Sequence, residues 1–277
     1  MHMAAIRNVT GTAFVVAEFR AEENKEICPL YRDPIVPLFL DEETREVAER
    51  IFASFAPIKK MVRIRTRYFD DQLDKRLQLG YQQVVILGAG LDTRALRKPS
   101  PTVDYFEIDD ESILEFKKAR LGENRIDAKV RFIPGNYVRD GVVDLLKKTE
   151  FNIERPTYII WEGNTMYLTA AAVNQVLTDI SRHVRHFTIS FDYMTEEVIA
   201  KATGDPEVTS LIERFASMGA PWNYGISDVR SLAERAATTI LEIVKIADLH
   251  RAYWPNQPLD SQIYDYYSIC TLQSVAQ

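Results

Sequence analysis

The stretch from Gln83 to Asp109 reads QVVILGAGLDTRALRKPSPTVDYFEID and sets out, in order, the residue types that hold a nucleoside. Val84-Val85-Ile86-Leu87 is an uninterrupted apolar run, as expected of a strand buried on both faces of a parallel sheet. Gly88-Ala89-Gly90 follows, where glycines let the backbone take positive φ and approach a ligand closely. A helix-compatible stretch and a second apolar run come next, ending in Glu107-Ile108-Asp109. Asp109 stands 21 residues beyond Gly88. A carboxylate at the tip of a second strand can accept hydrogen bonds from ribose hydroxyls.

Two kinds of nucleoside ligand fit such a turn. A dinucleotide site wants G-x-G-x-x-G, whose third glycine allows close packing of helix on strand. Thr93 stands at that position, and Asp92 would set a negative charge against a pyrophosphate. Both features weigh against NAD and FAD. S-adenosylmethionine carries no phosphate; it offers an ammonium and a carboxylate, which tolerate an acid in the turn. The bland alternative is a glycine loop that only turns the chain. The ordered arrival of strand, glycines, helix, second strand and acid weighs against it.

The surrounding elements must position these groups. Apolar spacing predicts a mostly helical start, with helices at Thr10–Glu23, Asp41–Phe55 and Met61–Leu79. Cys28-Pro29-Leu30-Tyr31-Arg32-Asp33-Pro34 reads as a Pro-punctuated connection. From residue 81 onward, short apolar runs alternate with helical stretches. Strands are expected at Val84–Leu87, Val103–Ile108, Val130–Ile133, Tyr158–Trp161 and Phe187–Phe191, with helices at Ser112–Leu121, Val142–Lys148 and Ala170–His183. A helix at Val229–Ala237 and strands at Ile243–Ala247 and Tyr266–Leu272 complete the chain. The pattern predicts an α/β fold: a Rossmann-like sheet of seven strands with an antiparallel C-terminal hairpin at one edge. Residues 1–80 form an expected N-terminal helical cap. Residues 81–277 form the nucleoside-binding domain, with an insertion at about 193–225.

Several motifs together resemble the leucine carboxyl methyltransferase family, with its bacterial branch of small-molecule O-methyltransferases, from about Val9 to the C-terminus. They are Thr12-Ala13, Arg20-Ala21-Glu22 and Pro29–Pro34; Arg65-Thr66-Arg67-Tyr68-Phe69-Asp70; Gly88–Arg94; Tyr105–Asp109; and Trp161-Glu162-Gly163-Asn164-Thr165-Met166-Tyr167-Leu168. The resemblance implies a class I S-adenosylmethionine-dependent methyltransferase that releases S-adenosylhomocysteine. It implies that Arg65 pairs with the methionine carboxylate, a contact suited to a guanidinium fork. Gly88 and Gly90 would lie against the methionine moiety in the turn, Asp109 would hold the ribose, and Glu162 would face the amino group. At the end of the third strand the family usually carries Asp-Leu beside the adenine. Here Asn136 and Tyr137 stand in those places. An amide carbonyl can still accept from the adenine amino group, and Tyr137 can flank the ring. Arg65 and Arg67 could equally be solvated helix residues, and Asp92 with Arg94 could form an ion pair that fixes the loop.

The implied reaction is O-methylation of a carboxylate or hydroxyl on a small molecule. Methylation of a protein C-terminal carboxylate, a non-catalytic S-adenosylmethionine-binding role and a nicotinamide oxidoreductase are the competing readings. A carboxylate acceptor needs no base, whereas a hydroxyl benefits from one; no catalytic residue is singled out. His183-x-x-His186 lacks carboxylate or thiol partners nearby, so no metal is expected, and His250 is left open. Tyr193, Met194, Phe215, Met218, Trp222 and Tyr224 in the insertion are either core or the wall of an apolar acceptor pocket.

Bulk composition is compatible with this. Of 277 residues, 46% are apolar and 27% charged, enough for a sizeable core. The net charge of −6, without a basic block, argues against nucleic-acid binding. No apolar run spans a bilayer and no secretory leader is recognised, so a cytoplasmic protein is expected. Cys28 and Cys270 read as reduced thiols. The oligomeric state and the acceptor are not legible.

Overall fold

A computed structural model describes residues 9–42, 45–46 and 55–275. Seven strands form one sheet: β1 (Gln83–Leu87), β2 (Asp104–Asp109), β3 (Val130–Pro134), β4 (Thr157–Trp161), β5 (Phe187–Met194), β6 (Thr238–Lys245) and β7 (Tyr267–Ser274). Their order is β3-β2-β1-β4-β5-β7-β6. The β1 to β5 pairings are parallel, and β7 runs antiparallel to both β5 and β6. The expected seven-stranded sheet with its antiparallel edge is therefore present. β1, β4 and β5 are buried along their whole length, which is why β1 and β4 are mostly apolar without alternation; β5 instead carries buried Thr188, Ser190 and Asp192 between its apolar residues.

The helices are α1 (Val9–Glu22), α2 (Ala56–Gln78), α3 (Arg94–Arg97), α4 (Glu111–Glu123), α5 (Val142–Leu146), α6 (Ala170–His183), α7 (Glu196–Ile199), α8 (Pro206–Ser217), α9 (Val229–Arg235) and α10 (Ile246–Tyr253). Two large apolar clusters sandwich the sheet. One joins α2, α8 and α10 to side chains such as Val84, Ile86, Tyr158 and Ile160. The other joins α5, α6 and α9 to Val85, Leu87, Ile159 and Trp161. Adjacent strand residues thus serve opposite layers, as the pleat requires. A third cluster seats α1 against α4 through Phe14, Ala17, Ile113 and Leu114. Among the described residues no helix is long and apolar enough to cross a membrane.

The late elements differ from expectation. The sixth strand is Thr238–Lys245 rather than Ile243–Ala247, and residues 246–253 form α10. β6 is an edge strand, mostly half-buried or exposed and interrupted by a register shift between Ile240 and Glu242, so its alternation is weak. Ile246, Ala247, Leu249 and His250 are buried in α10, a helical stripe that a short apolar run mimics. The fifth strand continues to Met194, and α7 and α8 occupy the insertion. Most of the helix expected at Asp41–Phe55 lies outside the described residues.

The strand order reverses direction at β1, between β2 and β4. In open α/β sheets ligands bind beyond the carboxyl ends of the strands at such a point.

Candidate functional site

A cleft opens at this switch point. It is walled by the ends of β1 and β2, the loop after β4, α1 and Arg65 of α2. Counting its open mouth it holds about 790 Å³ of space, within the range of small-molecule sites of about 300–1,000 Å³. Five of the seven residues expected from the sequence line it: Arg65, Gly88, Gly90, Asp109 and Glu162. Asn136 and Tyr137 do not.

The glycine turn is built for close approach. Gly88 has φ +60° and Gly90 φ +48°. A Cβ on Gly88 would stand 2.1 Å from Asn164 Oδ1. Asn164 is held there by bonds from its Nδ2 to Leu87 O (3.2 Å) and Glu162 O (2.7 Å). Tyr137 donates to Asn164 Oδ1 at 3.1 Å and accepts from Trp161 Nε1 at 3.2 Å. Tyr137 therefore buttresses the floor of the cleft from below. Asn136 is exposed, and its side-chain carbonyl accepts from the backbone N–H groups of Val138 (3.1 Å) and Arg139 (3.0 Å). The carbonyl expected to meet an adenine amino group is committed to a local turn, as short polar side chains often are.

Asp109 accepts from Gly90 N (2.6 Å) and Asp110 N (2.6 Å), which fixes its carboxylate beside the turn. Burial raises its pKa, and the two backbone N–H groups pull against that. Each carboxylate oxygen has a second lone pair for another donor.

At the other end, Arg65 donates to Glu162 Oε1 (3.0 Å) and to Tyr267 Oη (2.8 Å), and its Nη1 lies 3.4 Å from Asp192 Oδ2. A Cβ on Gly163 (φ +73°) would stand 2.9 Å from Arg65 Nη2, so only glycine admits the guanidinium here. Arg65 is 8% exposed and not a solvated helix residue. Asp192 is fully buried and also accepts from Gly163 N at 2.6 Å and from Tyr267 Oη. Asp192 and Tyr267 had no role assigned from the sequence. Asp192 did carry the signal used for Glu162, an acid at the tip of an apolar strand.

The turn's own charges are occupied internally. Arg94 N donates to Asp92 Oδ1 at 2.7 Å, and the Arg94 guanidinium also pairs with Asp92, with Asp70 (2.8 Å) and with Glu162 (2.7 Å). Asp92 and Arg94 do form the ion pair that fixes the loop. The Asp92 carboxylate caps the first N–H of α3, the place where a pyrophosphate would sit. Thr93 Oγ1 is buried and bonded to Asp33 (2.6 Å), Arg20 (2.6 Å) and Arg97 (2.9 Å), so this position anchors the N-terminal segment instead of admitting a third glycine. Arg20 also donates to Leu91 O at 3.0 Å. These bonds hold α1, which contributes Thr12, Ala13 and Val16 to the cleft, over the turn.

A second, apolar cavity adjoins the first and shares Thr12, Val16, Arg65, Gly163 and Tyr167 with it. It also takes Met194, Phe215 and Trp222 from the expected insertion. Tyr193 and Tyr224 pack instead in the opposite core layer, and Met218 is core. Among the described residues no histidine lines either cavity. His183 is exposed and bonds to Asp179 O at 2.8 Å; His250 is buried in α10.

The whole chain is similar in shape to a methyltransferase from Thermobifida fusca YX, a "putative methyltransferase" by its description, with a TM-score of 0.65 at 14% identity over 100% of this chain and 97% of that one. Magnesium protoporphyrin IX methyltransferase from Synechocystis PCC 6803, solved with bound SAH, gives a TM-score of 0.51 at 9% identity over 87% of this chain and 98% of that one. At such identities these likenesses carry the fold. In sequence, the chain is 32% identical over 191 residues to a "Putative S-adenosyl-L-methionine-dependent methyltransferase" of Mycobacteroides abscessus, over 64% of each chain. It is 31% identical over 191 residues to one from Parafrankia sp., over 65% of this chain and 61% of that one. The matched stretch thus spans somewhat less than two-thirds of these relatives' length. The cofactor expected from the turn is the one in their names. The sequence profile described as Leucine carboxyl methyltransferase matches residues 13–181, more than half the chain, and on that ground the chain belongs to the leucine carboxyl methyltransferase family.

Proposed function

We propose that this chain is an S-adenosylmethionine-dependent O-methyltransferase acting on a carboxylate or hydroxyl of a small molecule. The observation that carries the reading is a single cleft with a carboxylate, Asp109, at one end and an Arg65–Glu162 pair at the other, over a glycine floor. The cradle fits the group, because any side chain at Gly88 would fill it.

In this reading Arg65 binds the cofactor's carboxylate and Glu162 faces its ammonium. Asp109 holds the ribose hydroxyls. Tyr137 acts through Asn164 by keeping the floor rigid, and Asn136 stands at the adenine rim with its carbonyl already engaged. When bound, S-adenosylmethionine supplies a methyl group on a sulfonium, a leaving group that needs no proton. What remains for the protein is alignment and exclusion of water. The apolar second cavity meets the cleft at Thr12, Arg65, Gly163 and Tyr167, which supports reading it as the acceptor pocket beside the cofactor's amino-acid end.

Calorimetry with S-adenosylmethionine, S-adenosylhomocysteine and NAD tests the reading. Both sulfur nucleosides are expected to bind below millimolar concentration and NAD not to. Failure of both to bind would sink it. Asp109→Ala is expected to weaken binding about tenfold or more, the scale of a lost charged hydrogen bond. Unchanged affinity would remove Asp109 from the site.

A further inference from the structure

Tyr267 opens β7 and stands opposite Met194, the last residue of β5. Asp192 lies two residues earlier on β5, so it shares that face of the sheet and is a diagonal neighbour of Tyr267. Both meet Arg65 of α2.

The Tyr267 hydroxyl lies between two charges. Its oxygen accepts from Arg65 Nη1 at 2.8 Å, and it donates to Asp192 Oδ2. Burial raises the Tyr267 pKa well above its usual value, so the phenol keeps the proton it donates. Arg65 Nη1 itself stays 3.4 Å from Asp192 Oδ2, longer than a good charge-assisted bond of about 2.7–2.9 Å. Asp192 Oδ1 is taken by Gly163 N at 2.6 Å, and the Asp192 backbone carbonyl accepts from Thr165 Oγ1 at 2.6 Å. The carboxylate is therefore tied to the loop after β4 and to β7, and it reaches Arg65 mainly through the hydroxyl.

This bridge decides which part of Arg65 remains for a ligand. Nε is held by Glu162 Oε1 at 3.0 Å, a carboxylate that Arg94 shares at 2.7 Å. Nη1 is held by Tyr267. Nη2 carries two N–H groups that meet no acceptor among the described residues, and it is not sealed in the core. It lies against Gly163, where a Cβ would come within 2.9 Å, and Arg65 and Gly163 line both the cleft and the second cavity. A fork-to-fork pair with Asp192 would engage two guanidinium nitrogens and compete with a carboxylate ligand. The interposed hydroxyl takes only one. It fixes a long side chain, otherwise rich in rotamers, while leaving the Nη2 edge available.

We propose that Asp192 and Tyr267 are positioning residues that act through Arg65, holding its Nη2 edge toward the amino-acid carboxylate of a bound sulfur nucleoside. The inference rests on the reading of Arg65 as the partner of that carboxylate and deepens it. Preference for a nucleoside with an amino-acid end then depends on two residues that do not line the cleft.

The test titrates the full chain by calorimetry with S-adenosylhomocysteine and with 5′-methylthioadenosine, which keeps the nucleoside and thioether but has no amino acid. Tyr267→Phe is expected to bind S-adenosylhomocysteine about tenfold more weakly, the scale of one hydrogen bond to a charged group, and methylthioadenosine as the parent does. Asp192→Asn keeps the side-chain shape and one acceptor oxygen; it carries the same comparison, with the same direction expected, if Tyr267→Phe does not fold. A double-mutant cycle reads the route: in an Arg65→Ala background, Tyr267→Phe should weaken S-adenosylhomocysteine binding by less than about twofold more. The proposal is overturned if Tyr267→Phe leaves S-adenosylhomocysteine affinity unchanged, or if its effect persists in full without Arg65. Equal weakening of both ligands, as a general disturbance of the fold would give, overturns it too. A parent chain that binds neither ligand strikes the cofactor reading, and one that binds both equally strikes the role of Arg65; either result takes the proposal with it. A parent that prefers S-adenosylhomocysteine beside an unchanged Tyr267→Phe strikes the proposal alone.

Discussion

Arg94 Nη1 stands 2.7 Å from Glu162 Oε2, while Arg65 Nε stands 3.0 Å from Glu162 Oε1. One carboxylate at the end of β4 therefore bridges two buried guanidiniums, from α2 and from the helix after the glycine turn. Breaking a buried pair from one side strands the other charge, at a cost of about 3–5 kcal/mol. Glu162→Ala is expected to lower unfolding stability on that scale. Glu162→Gln, which keeps one acceptor oxygen, should cost clearly less. Urea unfolding of the two variants decides; equal losses would show that the carboxylate charge, and not its geometry, holds the junction.

Gly88 and Gly80 separate two effects of adding a methyl group. Both have positive φ, +60° and +83°. A Cβ on Gly80 meets nothing within 4 Å, whereas one on Gly88 runs into Asn164. Gly80→Ala should cost only the left-handed backbone, about 1–2 kcal/mol. Gly88→Ala should cost about 1–3 kcal/mol more for overpacking, and should also weaken S-adenosylmethionine binding. Equal melting-temperature shifts in the two variants would mean that Asn164 yields easily.

The readable and unreadable parts of the molecule divide along physical lines. β1, β4 and their neighbours were legible because a strand buried on both faces must be apolar throughout. The turn was legible because positive φ at Gly88 and Gly90 demands glycine. Asp192 and Tyr267 escaped notice because they meet Arg65 only through the fold, across 127 and 202 residues. The contacts of Asn136 are not legible in the sequence, since whether an amide faces a ligand or, as here, its own backbone is decided by a few local torsions. β6 was misplaced because an exposed edge strand has little burial to impose a pattern, while the short apolar stripe of α10 looks like a strand.

Acid should find a specific weak point at Asp92. Burial pushes its carboxyl up, but the Arg94 and Arg20 guanidiniums outweigh that and hold it at about 2, below the ordinary 3.8. A folded-state pKa below the unfolded one gives stability that is present above about pH 4 and lost as the pH falls toward 2. The shift corresponds to about 2 kcal/mol. Asp92→Asn removes this titration. The stability gap between parent and variant, measured by urea unfolding at steps from pH 5 to 2.5, should narrow by that order on the acid side. A gap that stays constant would assign the acid response to other carboxylates, such as Asp33 and Asp70, which are also held low.

His250 should behave as a buried liability and not as part of the site. Its ring lies face to face with Tyr264 (centroids 5.4 Å apart, planes at 27°) and edge-on to Trp254 at 5.3 Å. Neither ring nitrogen has a hydrogen-bond partner. Burial lowers its pKa from 6.5, with Lys60 and Arg251 adding to the effect and Asp260 opposing it. The unfolded chain then takes up the proton first, so stability is drained as the pH falls below about 6.5. Phe fills nearly the same aromatic slot and leaves no polar atom unmet. His250→Phe is expected to be neutral or to stabilise by up to about 1 kcal/mol at pH 7.5, because replacing an unpaired buried polar group by an apolar one of the same shape removes its desolvation penalty. Its advantage should grow between pH 7.5 and 5.5, with S-adenosylmethionine affinity unchanged throughout. A destabilised variant would mean that the imidazole has a partner in solution, and parallel pH profiles would mean that it does not titrate in this range.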